Sequence, residues 1–309
     1  MMPLRIVFMG TAELARASLR ALLAPDLFNV VAVVTQPDRP KGRDLKPQPS
    51  VVKTTALEAG LQVLQPEKAR NPEFVSSLAE LKPEVIVVAA YGQILPPSIL
   101  ELPKFGCVNV HASLLPKYRG AAPIQWAIID NESETGVTIM RMAAGLDTGD
   151  ILTTKATPIG PDETGEELHD RLALLGAELL VNTLPEYCSG AIQPIPQDNA
   201  AATYARKITR EDGRLDWSLP ALVLRNRLRA FTPWPGAYAE LSIRGKPRTV
   251  KFSRATVVPS LGQPGQILQA DRNGVVIACG ADALRFEQFQ LEGGRKMTAA
   301  EFIAGHPLF

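Results

Sequence analysis

One short segment restricts the folds open to this 309-residue chain more than any other. Residues 107–110 form an apolar, partly β-branched run that predicts a buried strand. Side chains two residues apart on a strand point to the same side, about 6.6 Å apart, so Asn109 and His111 are predicted to face one space. The Ser-Leu-Leu-Pro sequence at 113–116 then ends the strand. An open α/β sheet carries its chemistry where a buried strand ends in such a loop.

A third polar group joins this pair from a later segment. Residues 135–142 predict another strand, and the segment after it places Asp147 and Asp150 between glycines. Taken singly, a histidine after a strand is more often structural than catalytic, and asparagine is a common turn residue. A carboxylate beside the imidazole favours chemistry, because it would orient the ring while the amide polarises a carbonyl group. Asn109, His111 and Asp147 are therefore the candidate catalytic residues.

Short apolar runs alternate with helical patterns through the first two thirds of the chain. Strands are predicted at residues 5–9, 30–34, 61–64, 85–90 and 151–156, and helices at 51–58, 72–81 and 162–184. This order predicts a Rossmann-like, open and mostly parallel sheet of the α/β class. The first strand runs into a helix without a G-x-G-x-x-G motif, so a dinucleotide site is not favoured.

A second, smaller domain is predicted after a linker. Residues 189–202 are rich in Pro, Gly, Ala and Gln without periodicity, which is typical of a linker. Beyond it come a helix at 219–230 and short alternating runs at 237–243, 248–254, 265–269, 274–279 and 284–291. These runs predict a small OB-like β-barrel. The predicted domains are 1–189, a linker at 190–207, and 208–309.

Composition excludes several classes of protein. The chain is 46% apolar and 21% charged, and no apolar run approaches the ~20 residues of a membrane helix. Its start leads directly into a strand and lacks the layout of a signal peptide. Three widely spaced cysteines and three histidines provide neither a disulfide framework nor a metal motif. We therefore expect a cytoplasmic, reduced protein that holds no metal. A monomer is the expected state, although the composition does not determine it.

The net charge of +1 hides an uneven distribution. Residues 1–204 hold 17 basic and 23 acidic residues, whereas residues 205–309 hold 16 basic and 9 acidic residues. A basic C-terminal part favours a polyanion as partner. The alternative is that this charge only keeps the surface soluble. Charge alone does not favour either of these two interpretations.

Longer segments identify a family by resemblance. The chain resembles the methionyl-tRNA formyltransferases, which belong to the wider group of formyltransferases that use 10-formyltetrahydrofolate. The matching segments are 106–125, 134–140, 145–150 and 231–236. Ser-Leu-Leu-Pro at 113–116 marks only the wider group, whereas Gly-Ala-Ala-Pro-Ile-Gln at 120–125 and Ala-Tyr-Gly-Gln-Ile-Leu-Pro at 90–96 resemble the tRNA enzyme. The resemblance runs from residue 5 to about residue 297, and it departs at 12–14, where Ala-Glu-Leu replaces the usual Pro-Glu-Phe.

The resemblance implies a reaction and a co-substrate. The implied activity is transfer of a formyl group from 10-formyltetrahydrofolate to the α-amino group of methionyl initiator tRNA, by direct attack of the amine. Asn109 would stabilise the oxyanion. His111 would either exchange protons near neutral pH or only orient the amine, and Asp147 would hold His111 in position or relay through a water. The backbone around Val88 to Gln93 and the Asp147 loop would hold the pterin ring of the folate. The candidate folate-binding residues are Val88, Ala90, Tyr91, Gly92, Gln93, Ser113, Leu114, Leu115 and Pro116.

The resemblance also implies contacts to tRNA. The long basic loop at 35–49 would enter the acceptor stem, with Arg39, Lys41, Arg43 and Lys46 as phosphate contacts. Candidate contacts of the C-terminal domain are Arg206, Lys207, Arg248, Arg244, Lys246 and Lys251.

Three other functions stay open at this point. A formyltransferase acting on a nucleotide-linked amino sugar would share the Asn, His and Asp set, although the basic loop and Gly-Ala-Ala-Pro-Ile-Gln argue against it. Hydrolysis of formyltetrahydrofolate would use water as the acceptor. A non-catalytic RNA-binding protein would need only the basic barrel, and the intact Asn109, His111 and Asp147 argue against that reading.

Overall fold

A computed structural model describes residues 3–24, 26–41 and 46–308, without the side chains of residues 41 and 46. The chain divides into two compact units. The first unit comprises Met1–Gly120, Thr135–Pro158 and His169–Tyr204, and the second comprises Ala121–Glu134, Ile159–Leu168 and Ala205–Phe309. These units differ in extent from the predicted domains, whose bounds stay a prediction. Each unit is described by itself.

The strands and helices of the described residues are numbered in chain order. The strands are β1 (Leu4–Gly10), β2 (Phe28–Val34), β3 (Arg39–Lys41), β4 (Lys46–Gln48), β5 (Val63–Leu64), β6 (Val85–Ala89), β7 (Cys107–His111), β8 (Arg119–Gly120), β9 (Glu134–Arg141), β10 (Ile151–Pro158), β11 (Tyr204–Ala205), β12 (Ala237–Ile243), β13 (Lys246–Val258), β14 (Ile267–Asp271), β15 (Gly274–Ala278), β16 (Ala283–Leu291) and β17 (Lys296–Thr298). The helices are α1 (Glu13–Leu23), α2 (Val51–Glu58), α3 (Pro72–Glu80), α4 (Pro97–Leu100), α5 (Pro123–Ile129), α6 (Gly165–Ser189), α7 (Ala221–Ala230) and α8 (Ala299–Gly305).

A mostly parallel sheet forms the centre of the first unit. Its strand order is β10-β9-β7-β6-β1-β2-β5. Strand β1 pairs in parallel with β2 and β6, β2 with β5, and β6 with β7, whereas β9 runs antiparallel to β7. The predicted α/β class with a Rossmann-like, open sheet is thus confirmed.

Local sequence explains why these elements form. All five residues of β6 and all five of β7 are buried, as expected for central strands of a parallel sheet that is covered on both faces. The Ser50 side chain caps α2 by accepting a hydrogen bond from the Lys53 amide at 3.0 Å. Asn71 caps α3 in the same way, and Pro72 occupies the first turn of that helix. These signals define where α2 and α3 begin and explain why β6 and β7 are buried strands.

The second unit contains an antiparallel sheet of six strands. Its order is β12-β13-β16-β15-β14, with β17 added to β16. Register shifts in β13 near Arg254 make bulges, and bulges of this kind curl a sheet. The core is aromatic: Phe252 and Phe286 lie 4.3 Å apart between ring centroids, and Phe289 stacks on Phe302 at 4.6 Å. The predicted OB-like sheet is confirmed, and the five predicted runs overlap β12 to β16.

The sequence did not predict α5, β17 and α8 of the second unit. Strand β17 has only three residues, and α8 begins directly after it. The helix does carry a recognisable start signal, because Thr298 and Glu301 form a reciprocal capping box. Both β17 and α8 contain too few residues to show a clear periodicity of apolar positions in the sequence.

Two kinds of feature are absent from the described ranges. Within them, no helix combines the length and the apolar character needed to cross a membrane. The same ranges hold no cluster of three or more His, Cys, Asp or Glu side chains that could bind a metal ion.

Candidate active site

The end of strand β7 places two of the predicted catalytic side chains. Asn109 is paired in register with Val88 on one side and Met140 on the other, and His111 lies opposite Thr138. Asn109 is 9% exposed and His111 is 6% exposed. Among the described residues the Asn109 side-chain amide has no hydrogen-bond partner, so both of its N–H donors are available.

The neighbours of His111 determine which ring nitrogen carries the proton. The Nε2 atom lies 3.0 Å from the carbonyl oxygen of Tyr118. A carbonyl oxygen only accepts, so Nε2 must donate in this contact. In the neutral ring Nδ1 is therefore the unprotonated atom, and it faces the Oδ2 atom of Asp147 at 3.7 Å. A proton taken up at Nδ1 would create a positive charge directly beside a carboxylate.

Asp147 is held in an uncommon backbone conformation. Its φ of 50° lies in the left-handed region, which non-glycine residues rarely adopt. The Oδ2 atom accepts a hydrogen bond from the Gly120 amide at 2.8 Å. The Nε2 amide of Gln197 donates to the carbonyl oxygens of Asp147 and Gly149, at 2.9 and 2.6 Å. Both the side chain and the main chain of Asp147 are therefore fixed by partners.

Gly149 is required for this loop to fold. A Cβ atom at this position would lie 1.8 Å from the Arg141 carbonyl oxygen. We expect Gly149→Ala to lower the free energy of unfolding by about 2–3 kcal/mol, the cost of forcing a tight backbone contact apart. Denaturant unfolding measures this loss. Gly305→Ala is the control, because a Cβ there meets nothing within 4 Å, and equal stability of the two variants would contradict the expectation.

The loop after β7 is held by its own hydrogen bonds. The Ser113 hydroxyl donates to the Lys117 carbonyl at 2.7 Å. Thr138 Oγ1 donates to the Ser113 carbonyl at 2.7 Å and accepts from the Leu115 amide at 3.1 Å. Ser113 and Leu115 are buried, whereas Leu114 and Pro116 are half-buried. Of the four predicted folate contacts in this loop, Leu114 and Pro116 therefore expose the most side-chain surface.

The turn after β6 offers backbone rather than polar side chains. Tyr91 is 2% exposed within the core, where burial raises the pKa of its hydroxyl to about 12. The Gln93 amide is occupied: its Oε1 accepts from the Ala69 amide at 2.7 Å, and its Nε2 donates to the Pro66 carbonyl at 3.3 Å. No local sequence signal predicts that the Tyr91 ring is buried or that the Gln93 amide is already hydrogen-bonded.

The same turn is open at its tip. Ala90 and Gly92 have φ values of 42° and 87°. A Cβ on Gly92 would meet only the Gln36 Nε2 atom, at 3.9 Å, within a radius of 4 Å. Val88, which precedes the turn, is 5% exposed. An open backbone turn of this kind leaves room for the close approach of a flat ring such as a pterin.

Two further residues belong to this site but were not predicted. Arg119 is 2% exposed, and its guanidinium donates from Nε and Nη2 to Gln197 Oε1 at 3.0 and 2.8 Å. Arg119 stands inside the segment that carries the resemblance, where its burial had no local signal. Gln197 falls in the predicted linker at 190–207, so nothing in the pattern connected it with Asp147, fifty residues away.

The basic loop is described only in part. Strands β3 and β4 form a hairpin, in which Arg39 pairs with Gln48. The Arg39 guanidinium lies 3.3 Å from the Glu67 carboxylate, and both side chains are exposed. The predicted tRNA contact Arg43 lies outside the described residues, as do the side chains of Lys41 and Lys46. A hydrogen bond from Lys53 lowers the pKa of Asp38 at the base of the hairpin.

The candidate tRNA residues of the second unit differ in their surroundings. Lys207 is exposed. Arg248, Lys246 and Arg244 line a cavity of about 750 Å³. Arg206 instead forms a bidentate pair with Asp212, one of whose contacts is 2.9 Å, and lies 4.9 Å from the centre of the Trp126 ring. Arg206 therefore has a structural task besides any contact with a polyanion.

The Arg206–Asp212 pair predicts a pH dependence of stability. The pair, with hydrogen bonds from Thr209, holds the pKa of Asp212 well below its usual range. A carboxylate with a lowered folded-state pKa stabilises above its unfolded pKa of about 4 and loses that contribution as the pH falls. We expect Asp212→Asn to cost about 1 kcal/mol at pH 7, because Arg206 is partly exposed to solvent. Unfolding curves at pH 7 and pH 3 check this, since the difference between variant and parent must shrink at pH 3.

Comparisons with known proteins define the class. The family model described as formyl transferase matches residues 4–184, and the one described as formyl transferase, C-terminal domain, matches residues 207–307. A solved N-formyltransferase from Helicobacter canadensis, in complex with folinic acid and dTDP-3-aminofucose, has the same fold, with a TM-score of 0.65 at 19% identity. That match covers 92% of this chain and 99% of the other. The chain is thus a formyl transferase by its family match, and its fold is the fold of that class.

Sequence relatives narrow the class. A protein from Geobacter sulfurreducens named methionyl-tRNA formyltransferase is 50% identical over 305 residues, which is 99% of this chain and 95% of the relative. A protein of the same name from Caldanaerobacter subterraneus subsp. tengcongensis is 51% identical and covers 98% of this chain and 97% of its own length. This chain belongs to the methionyl-tRNA formyltransferase family.

Proposed function

We propose that this chain transfers a formyl group from 10-formyltetrahydrofolate to the α-amino group of methionyl initiator tRNA. The observation that carries the reaction type is the cluster at the end of β7, where Asn109 and His111 lie on one strand face and Asp147 lies 3.7 Å from the ring. The names of relatives about half identical along the whole chain support the acceptor.

The chemistry needs one positioned donor for a developing charge. The amine nitrogen attacks the formyl carbon, and a new C–N bond forms while the carbonyl oxygen becomes an oxyanion. The free amide donors of Asn109 stabilise that oxyanion. The bond from the formyl carbon to N10 of the folate then breaks, which yields formylmethionyl-tRNA and tetrahydrofolate. No covalent enzyme intermediate is needed.

The proton balance falls to His111 and Asp147. The attacking amine loses a proton, and the departing folate nitrogen gains one. Nδ1 of His111 accepts the proton, because Nε2 is already committed to the Tyr118 carbonyl. The Asp147 carboxylate stabilises the resulting imidazolium. When Nδ1 returns the proton to N10, the ring is neutral again and ready for another cycle.

The folate is placed by the open turn at 90–92 and by the half-buried Leu114 and Pro116. Folinic acid, bound by the Helicobacter canadensis protein, is a formylated tetrahydrofolate, which supports a ligand of this class. Initiator tRNA is assigned to the hairpin loop at 35–49 and to Lys207 and Arg248 of the second unit. We further propose a cytoplasmic monomer with a catalytic domain at 1–189 and a tRNA-binding domain at 208–309.

A formyl-transfer assay tests this function. Purified protein and 10-formyltetrahydrofolate are incubated with charged initiator tRNA, with charged elongator tRNA, or without acceptor. The expected result is formylation of the initiator species only. Release of formate without an acceptor would favour the hydrolase, and tRNA binding without any turnover would favour the non-catalytic RNA-binding protein.

The amino-sugar formyltransferase needs its own arm of this assay. Such enzymes share the fold, but the solved example with a bound nucleotide-linked amino sugar is only 19% identical to this chain. A dTDP-amino sugar is offered in place of tRNA under the same conditions. Turnover of the sugar without turnover of methionyl-tRNA would replace the proposed acceptor.

A further inference from the structure

We propose that Gln197 is a positioning residue for the transfer reaction, because it fixes the loop that carries Asp147; this inference rests on the proposed function. Gln197 contacts the main chain of Asp147 but none of the side chains of Asn109, His111 and Asp147. Its side chain lies between two groups that the sequence analysis never connected: the buried guanidinium of Arg119 and the main chain at 147–149.

The orientation of the Gln197 amide is forced by its neighbours. Arg119 has donors only, so the atom that faces it at 3.0 and 2.8 Å must be the amide oxygen. The NH₂ group then points at the carbonyl oxygens of Asp147 and Gly149, which only accept. All three neighbours agree on one assignment. Because Arg119 can only donate, it fixes the orientation of the Gln197 amide and therefore the direction of both N–H bonds.

These two hydrogen bonds are made at the part of the loop whose backbone conformation is uncommon. Asp147 has a φ of 50°, a conformation that persists only when surrounding contacts determine it. The nearby Leu146 is 59% exposed, so little packing is available on that side of the loop. Gln197 bonds the carbonyl of the strained residue itself, and it bonds Gly149 two residues on. The carboxylate of Asp147 is thereby presented to the Gly120 amide and to His111.

The segment around Gln197 is itself fastened at both ends. Ile195 exchanges two backbone hydrogen bonds with Ile151, at 2.8 and 2.9 Å. At the other end the Thr203 carbonyl accepts from the Arg119 amide at 2.9 Å, and the Thr203 hydroxyl accepts from the Tyr118 amide at 2.8 Å. Residues 195–203 are therefore a strap across the first unit. A free linker would not position an amide to within hydrogen-bond distance of two carbonyls.

Two substitutions at position 197 distinguish the hydrogen bonds to the Asp147 loop from the contact with Arg119. Gln197→Glu keeps an acceptor for Arg119 but replaces the NH₂ group with an oxygen that faces two carbonyl oxygens. Gln197→Ala removes both connections. Asn199→Ala is the matched control, because Asn199 Oδ1 accepts from the same Arg119 Nη2 at 2.9 Å without contacting the Asp147 loop. The three variants remove, respectively, the loop link, both links, and one Arg119 contact only.

Kinetics provide the first readout. Formylation of methionyl-tRNA is measured at saturating and at limiting concentrations of each substrate. We expect both Gln197 variants to lower kcat about tenfold or more, as for the loss of two hydrogen bonds at a reacting group, while both KM values stay within about twofold. Asn199→Ala is expected to stay within about twofold of the parent. In an Asp147→Ala background, Gln197→Ala should add almost nothing, since it acts through Asp147.

Amide exchange provides a readout that needs no activity. The Gly120 N–H donates to Asp147, so its protection against hydrogen exchange reports the position of that carboxylate. We expect faster exchange of this amide in both Gln197 variants and parent-like exchange in Asn199→Ala. Parent-like kcat and parent-like Gly120 protection in Gln197→Glu would overturn the proposal. If the parent protein formylates no methionyl-tRNA, the proposed function fails, and the exchange result alone decides the role of Gln197.

Discussion

Asn109→Ala should lower kcat for formyl transfer by about 10²–10³, the usual cost of removing one oxyanion donor. The reason is specific to its position: Asn109 is 9% exposed at the end of β7, and among the described residues its side-chain amide has no partner to lose. The substitution therefore removes donors for the transition state rather than a structural contact. Single-turnover formylation of methionyl-tRNA measures the effect without interference from product release.

Two further variants test whether the loss of rate is specific to the amide of Asn109. Asn109→Asp keeps the shape of the side chain but presents a negative charge to the oxyanion, so its loss should be at least as large. Asn71→Ala removes the cap of α3 and costs about 1 kcal/mol of stability, but it should leave the rate unchanged. An Asn109→Ala protein with the parent rate would eliminate the oxyanion role.

His111→Ala is the second large effect, with an expected loss of about 10²–10⁴ in kcat, typical for removal of a general acid–base group. Asp147→Asn should cost about 10- to 100-fold, because it removes the carboxylate charge that lies 3.7 Å from the Nδ1 atom. The two losses should not add. Without the imidazole there is no imidazolium to stabilise, so the double variant should be within about threefold of His111→Ala.

The control for this pair is Asp150→Asn in the same loop. Asp150 is the other carboxylate of the segment that follows β9, and its main-chain carbonyl accepts from the Arg141 amide at 2.9 Å, a contact that the substitution preserves. We expect the Asp150 variant to keep a rate close to that of the parent. Additive losses at His111 and Asp147, or an equal loss at Asp150, would show that the pair does not work as a unit.

Local patterns were sufficient for the fold of this chain. The buried runs at 85–90 and 107–110 predicted β6 and β7 because a central parallel strand must be apolar on both faces. The two-residue period of a strand also predicted that Asn109 and His111 share one face. Strands β12 to β16 followed from alternating runs between Gly and Pro, again a signal that is contained within a few residues.

The contacts that hold the site are of a different kind. Gln197 lies 78 residues from Arg119 and 50 from Asp147 along the chain, and no periodicity relates such positions. The directions of individual side chains could not be predicted either, because they depend on contacts with distant parts of the chain. Tyr91 and Gln93 stand in a segment that resembles a folate-binding turn, yet the tyrosine ring enters the core and the glutamine amide bonds the segment at 66–69. The roles of Asn109, His111 and Asp147 stay predictions, whereas their positions are now specified.

The strap at 195–203 affects where this protein can be truncated without losing contacts to the Asp147 loop. The N-terminal family match ends at residue 184, and a truncated protein that stops there would contain Asn109, His111 and Asp147 but not Gln197 or Thr203. Such a fragment could fold its sheet and still leave the Asp147 loop unfastened. A cut after residue 204 would retain the strap. During synthesis, too, the hydrogen bonds from Gln197 to the Asp147 loop form only after residues 195–203 have left the ribosome.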